Sequence, residues 1–186
     1  MPKASRQSSA LRREQLVLSM AAKVRRRGLG GVSVPDLMAE AGMTHGGFYK
    51  HFSSKEALEA EACVRALEEM AEREWSLIDA DAQTARSALF DFYLSPGHRD
   101  GVGEGCAIAA LAPDAARRPD HDAARVLAAG IERQAEVLAE FCGDRDEALA
   151  ALSTLVGAIV LARATDGALS DDILAAARQS LEVTPT

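Results

Sequence analysis

Between Ser33 and Leu58 the apolar positions fall in short groups, each introduced by a residue that starts a helix. Ser33 followed by Asp36 reads as a capping box, and Pro35 stands near the first helical position, where its missing N–H costs nothing. Leu37, Met38 and Ala41 then recur at helical spacing, and Gly42 sits where a helix ends with a left-handed residue. After the turn Gly42-Met43, Thr44 is placed to cap a second short helix reaching about His51, with Phe48 and Phe52 on its apolar side. Ser53 with Glu56 repeats the capping box and opens a longer helix. Two short helices joined by a tight glycine-containing turn predict a helix-turn-helix, whose second helix enters the DNA major groove.

The rest of the chain carries the same helical period. A first helix is expected over 9–27, with Leu16, Met20, Ala21 and Val24 as its stripe and Gly28, Gly30 and Gly31 as its stop. Arg25, Arg26 and Arg27 close that helix as a basic run, read either as a solvated end that complements the dipole or as a phosphate contact. Lys3, Arg6, Arg12 and Arg13 read as a mobile basic arm. Further helices are expected over 54–78, 84–95, 105–111, 122–142 and 146–165, with a last one opening at Ser170. A loop is expected over 96–104 and a proline-bounded stretch over 113–119. The expected fold class is all-α, an N-terminal three-helix helix-turn-helix domain over 1–54 and a larger helical domain over 55–186.

Charge sharpens this division. The net charge of −7 argues by itself against a nucleic-acid partner, but residues 1–60 hold ten Lys and Arg against five Asp and Glu, and the remaining 126 hold eleven against twenty-three. A basic head on an acidic body fits a DNA reader joined to a separate domain. It does not fit a non-specific DNA-packaging protein.

The segment GMTHGGFYKHFSSKEAL resembles the DNA-binding signature of the TetR family of bacterial transcriptional regulators. One departure stands out, because family members often carry lysine where this chain has His45. The resemblance implies that Thr44, His45, Gly46 and Gly47 lie at the entry of the recognition helix, that Tyr49, Lys50 and His51 contact phosphates or neighbouring bases, and that Ser33 and Lys55 meet phosphates at helix starts. The alternative for Tyr49 and His51 is packing with a satisfied polar tip. Gly46 and Gly47 cost roughly 1 kcal/mol each inside a helix, which implies a steric reason such as close approach to DNA.

The resemblance further implies a one-component regulator, usually a repressor, that leaves its operator when a small molecule enters the C-terminal domain. Met70, Trp75, Phe90, Tyr93, Cys106 and Ile108 are the candidates for that pocket, although core packing explains the same residues. The helix ALAALSTLVGAIVLARA is apolar nearly all round and must be buried. With the family pattern, it implies a homodimer through 122–142 and 146–165, and so a near-palindromic operator.

Three scattered cysteines, Cys63, Cys106 and Cys142, argue for reduced thiols. Cys106 follows the glycine-rich loop DGVGEG and begins a helix, so redox or electrophile sensing within the same family is the second reading. No CxxC, HExxH or GxSxG is present, and neither a metal, a cofactor nor an enzymatic activity is expected. No apolar run is long enough to span a membrane and the N-terminus lacks a signal peptide's hydrophobic region, so a cytoplasmic location is expected.

Overall fold

The structure, a computed structural model of the 186-residue chain, describes residues 2–40, 42, 45–75 and 82–182, without the side chains of 2–8, Glu40, His45, Glu74, Trp75, Ala82 and Gln83. Thr44 and the side chains of His45 and Trp75 therefore lie outside the described residues. All regular structure among the described residues is helical: α1 Pro2–Arg27, α2 Val34–Glu40, α3 His45–Phe48, α4 Lys55–Trp75, α5 Ala82–Tyr93, α6 Pro96–Asp100, α7 Ala107–Arg117, α8 Asp122–Cys142, α9 Arg145–Arg163 and α10 Gly167–Glu182.

The first short helix of the head is capped as its pattern predicts, whereas α3, expected to reach about His51, ends at Phe48. Asp36 N–H donates to Ser33 Oγ at 3.2 Å, capping α2, and Gly42 turns the chain away with φ +59. Leu16, Met20, Ala21 and Val24 of α1 meet Leu37, Met38, Phe48 and Phe52 in a fully buried cluster. Phe48 is inaccessible to solvent, and removing a ring so enclosed typically costs about 3–5 kcal/mol. Tyr49 closes edge-on to Phe48 with ring centres 5.1 Å apart.

The body is organised around α8, which packs on α4, α5, α7 and α9, while α10 lies along α9. His121 caps α8, and Gly143, at φ +102, ends it. Asp144 then caps α9 by accepting from Glu147 N–H at 2.9 Å.

Several boundaries differ from the sequence expectations. Helix α1 begins at Pro2, so the basic residues expected as a mobile arm belong to the helix. Arg13 is anchored there by Glu61 Oε1 and Oε2 at 2.6 and 2.7 Å, and its guanidinium lies 4.8 Å from the Phe52 ring centre. The cap of α4 is Ser54 rather than Ser53, since Ser54 Oγ accepts Ala57 N–H at 3.1 Å. The segment expected as a loop over 96–104 contains α6, capped by Ser95 with Pro96 in its first turn. Pro113 lies inside α7, which continues to Arg117. Ser170 is in the first turn of α10 rather than at its cap, and its hydroxyl donates to Ala162 O at 2.7 Å.

Candidate nucleic-acid interface and effector region

The candidate reading surface is built from helix starts. Ser33 opens α2, His45 opens α3, and Lys55 opens α4, so each stands where backbone N–H groups lack partners within the helix. Helix α3 is only one turn long; the chain then bends through Tyr49, Lys50 and His51, with Phe52 N–H still donating to Phe48 O at 3.0 Å. Phe48 points inward, whereas Gly46, Lys50 and Tyr49 are exposed, Tyr49 at 57%. Gly47 and His51 are half-buried. A Cβ built on Gly46 would meet nothing within 4 Å. The protein itself therefore gives no steric reason for glycine there. Lys55 Nζ stands 3.3 Å from both Gly30 O and Glu59 Oε1.

The basic run at the end of α1 divides. Arg25 is buried, donating to Gly103 O, to Ala66 O at 3.3 Å and to Glu69 Oε2 at 2.6 Å. Neither reading of the run, solvated end or phosphate contact, fits Arg25, because its fork is used up inside the protein. Arg26 pairs with Glu104 at the surface, and Arg27 is exposed.

The effector candidates with described side chains are all buried: Met70, Phe90, Tyr93, Cys106 and Ile108. Met70, Tyr93 and Cys106 line one small cavity of about 10 Å³ together with Arg73, Phe92, His98, Glu104 and Gly105. Phe90 instead borders a groove of about 230 Å³ between α5 and α10, with Arg86 and Arg178 beside it. Cys106 Sγ accepts Ala109 N–H at 3.4 Å and so caps α7. Burial pushes the Cys63 thiol up to about 12, with Glu59 adding to the effect, and burial likewise raises Cys142.

His98 was missed by sequence reasoning. Its Nε2 accepts Cys106 N–H at 2.8 Å and its Nδ1–H donates to Tyr93 O at 2.6 Å, and burial lowers its pKa to about 4. The residue holds the glycine-rich loop 101–105 against α5, and no local motif announces it. Arg163 holds the neighbouring α6, donating from Nε to Arg99 O and from Nη2 to His98 O, each at 2.9 Å. Beside it lies a cleft of about 410 Å³ between α6, α9 and α10, lined by Arg99, Arg163, Asp166, Ser170 and Asp171. Among the described residues no group of three or more His, Cys, Asp or Glu is placed to hold a metal, and no helix is long and apolar enough to cross a membrane.

A short capped α2, the left-handed Gly42, and an α3 with its apolar side sealed into α1 and α4 define the class: an all-α protein headed by a DNA-binding helix-turn-helix. Residues 18–62 match the family model of bacterial regulatory proteins of the tetR family. Over those residues the chain carries the DNA-binding domain of tetR-family regulators. Its fold matches that of a TetR-family regulator from Agrobacterium tumefaciens at TM-score 0.81 and 18% identity, covering 96% of this chain and 100% of that one. A TetR regulator from Chloroflexus aurantiacus is similar at TM-score 0.78 and 25% identity, covering 94% of each chain. The multidrug-binding protein EbrR, solved with imidazole, is similar at TM-score 0.67 and 26% identity, covering 94% of this chain and 96% of that one. No curated protein sequence matches the chain. The family consists of transcriptional regulators, not enzymes.

Proposed function

We propose that the protein is a repressor that binds a near-palindromic operator as a homodimer and leaves it when a small molecule enters the helical domain over 55–186. The observation that carries this reading is the reading turn itself: Phe48 locks α3 into the core while Gly46, Tyr49 and Lys50 stay outward. In this reading Thr44, His45, Gly46 and Gly47 approach base edges, Tyr49, Lys50 and His51 contact bases or phosphates, and Ser33 and Lys55 take phosphates at helix starts.

A second copy is supported by the outward face of α9. Ala150, Ser153, Thr154, Gly157 and Leu161 form an uncharged stripe, and the Ser153 and Thr154 hydroxyls donate back to Leu149 O and Ala150 O. Such a face loses no solvated donor on being covered. The outward face of α8 instead carries Arg125, Glu132, Arg133, Glu136 and Glu140. On α10, Leu169 is 58% exposed and Ala176 is also exposed. The proposed dimer therefore pairs α9 with α10, where the sequence pattern had pointed to 122–142 with 146–165. A two-fold dimer sets two recognition helices about 34 Å apart, one turn of B-DNA.

Small-molecule release is supported by the similarity to EbrR, a multidrug-binding protein, and by the apolar enclosure of Met70, Phe90, Tyr93, Cys106 and Ile108. Against sensing by Cys106 stands its burial at 2% exposure. The test is a binding assay with genomic fragments: the DNA upstream of the protein's own gene is expected to bind well above random DNA of equal length, and equal binding would overturn the reading.

A further inference from the structure

The loop between α1 and α2 is held by its main chain, and by the other domain. Gly28 and Gly30 have φ +76 and +87, a conformation that turns successive N–H groups outward. Leu29 N–H donates to Asp114 Oδ2 of α7 at 2.8 Å, and Gly30 N–H donates to Glu59 Oε1 of α4 at 2.8 Å. Glu59 is 1% exposed. Its second oxygen accepts His121 Nε2–H at 3.1 Å, while His121 Nδ1 accepts Ala123 N–H and thereby caps α8. Lys55 Nζ completes the ring by reaching Gly30 O. From the apolar side Leu29 and Val32 are sunk in the core.

Helices α7 and α4 thus meet directly on Leu29 and Gly30, with α8 joined to them through His121 and Glu59, in a loop that leads into α2 and α3. The fit is close: a Cβ on Gly28 would lie 2.3 Å from Asp114 Oδ2, and one on Gly30 would lie 2.7 Å from Arg118 Nη2. Asp114 sits near the far end of α7, whose eleven residues make a rod about 16 Å long. The opposite end of the rod begins at Cys106, Ala107 and Ile108, in the buried effector region.

We propose that this loop is a clamp through which α7 sets the orientation of the DNA-reading unit, by a route that runs from Cys106 and Ile108 along α7 to Asp114 and Leu29 and does not pass through the linking helix α4. Displacement at the buried end of α7 draws Asp114 away from Leu29 N–H and loosens α2 and α3 as a pair. Glu59 and His121 hold the other half of the loop, so release is partial and reversible. Lys55 belongs both to the clamp and to the proposed phosphate contacts, which ties the state of the loop to DNA contact. The inference rests on the DNA-binding reading above.

Amide hydrogen exchange on the full-length protein and operator binding, with the protein's own upstream DNA as probe, test it together. Asp114→Ala is expected to speed exchange at Leu29 and throughout 34–52, to leave 145–182 unchanged, and to weaken operator binding about tenfold. Asp114→Asn keeps an acceptor for Leu29 N–H and is expected to stay within about threefold of the parent on both readouts. Faster exchange confined to Leu29 with unaltered binding would overturn the clamp, as would a rise in exchange spread equally over 145–182 in either variant. If the parent protein shows no preference for its upstream DNA, the operator reading fails by itself, and the exchange pattern still decides whether Asp114 holds the reading unit.

Discussion

The main-chain N–H of Cys106 donates to His98 Nε2 at 2.8 Å, which fixes the proton of the imidazole on Nδ1, where it is given to Tyr93 O. Protonating His98 would put a second hydrogen against the Cys106 N–H, inside the protein. Burial is the main reason its pKa falls from 6.5 to about 4, and Arg163 and Arg73 add to the fall. The unfolded chain therefore binds the proton more readily than the folded one between these values. Stability should be full above pH 6.5 and decline toward pH 4, by about 3 kcal/mol at most for this group. Urea denaturation at several pH values checks it: His98→Gln should flatten the part of the slope that lies in this window.

Gly46 lets the needs of the fold be separated from those of the proposed DNA contact. Nothing in the protein lies within 4 Å of a Cβ at that position, and alanine favours a helix over glycine by up to roughly 1 kcal/mol. Gly46→Ala is expected to leave the melting temperature equal or higher and to weaken operator binding at least tenfold. An unaltered operator affinity, measured by fluorescence anisotropy, would show that the glycine serves no close approach.

Lys50 is exposed, and its effect should be electrostatic. Lys50→Ala is expected to lower affinity for all DNA sequences alike and to reduce the slope of log K against log salt by about 1, as for one lost phosphate contact. Loss of discrimination between operator and random DNA, with the slope intact, would instead make Lys50 a reader of bases.

Leu161 is 57% exposed in the single chain, so a carboxylate there should cost a monomer little. In the proposed dimer it would bury an unpaired charge. Leu161→Glu is expected to give a folded monomer with unchanged helical circular dichroism and at least a hundredfold weaker operator binding, while Glu136→Leu on α8 should leave the dimer intact. Sedimentation velocity distinguishes the two.

Local chemistry made much of the head legible before any coordinates. Ser33 acts on a backbone group three residues away and Gly42 through its own left-handed turn, so their neighbours in sequence suffice to place them. Ser53 and Ser54 are equivalent on paper, and the choice between them depends on which hydroxyl reaches Ala57 N–H. Arg25 is the opposite case, because its partners Glu69 and Gly103 lie 44 and 78 residues away and nothing near it signals burial. His98 and Ser170 were hidden at shorter range, because their partners, Tyr93 and Cys106 for one and Ala162 for the other, lie five or eight residues away, off any helical hydrogen-bond period. Pro113 read as a boundary, yet α7 continues to Arg117, with Asp114 bonded to Leu29 N–H and half-buried Ala115 packed on the core beyond it.

All three thiols of the chain are enclosed: Cys63 at 1% exposure, Cys106 at 2% and Cys142 at 7%. A disulfide-forming dye added to the native protein can react only when the surrounding helices part, so the labelling speed of each sulfur is a clock for one region's breathing. Cys63 times the linking helix, Cys106 the start of α7, and Cys142 the end of α8. The wild-type chain thus carries its own three-channel motion sensor, usable with DNA present or absent and without introducing a foreign label site.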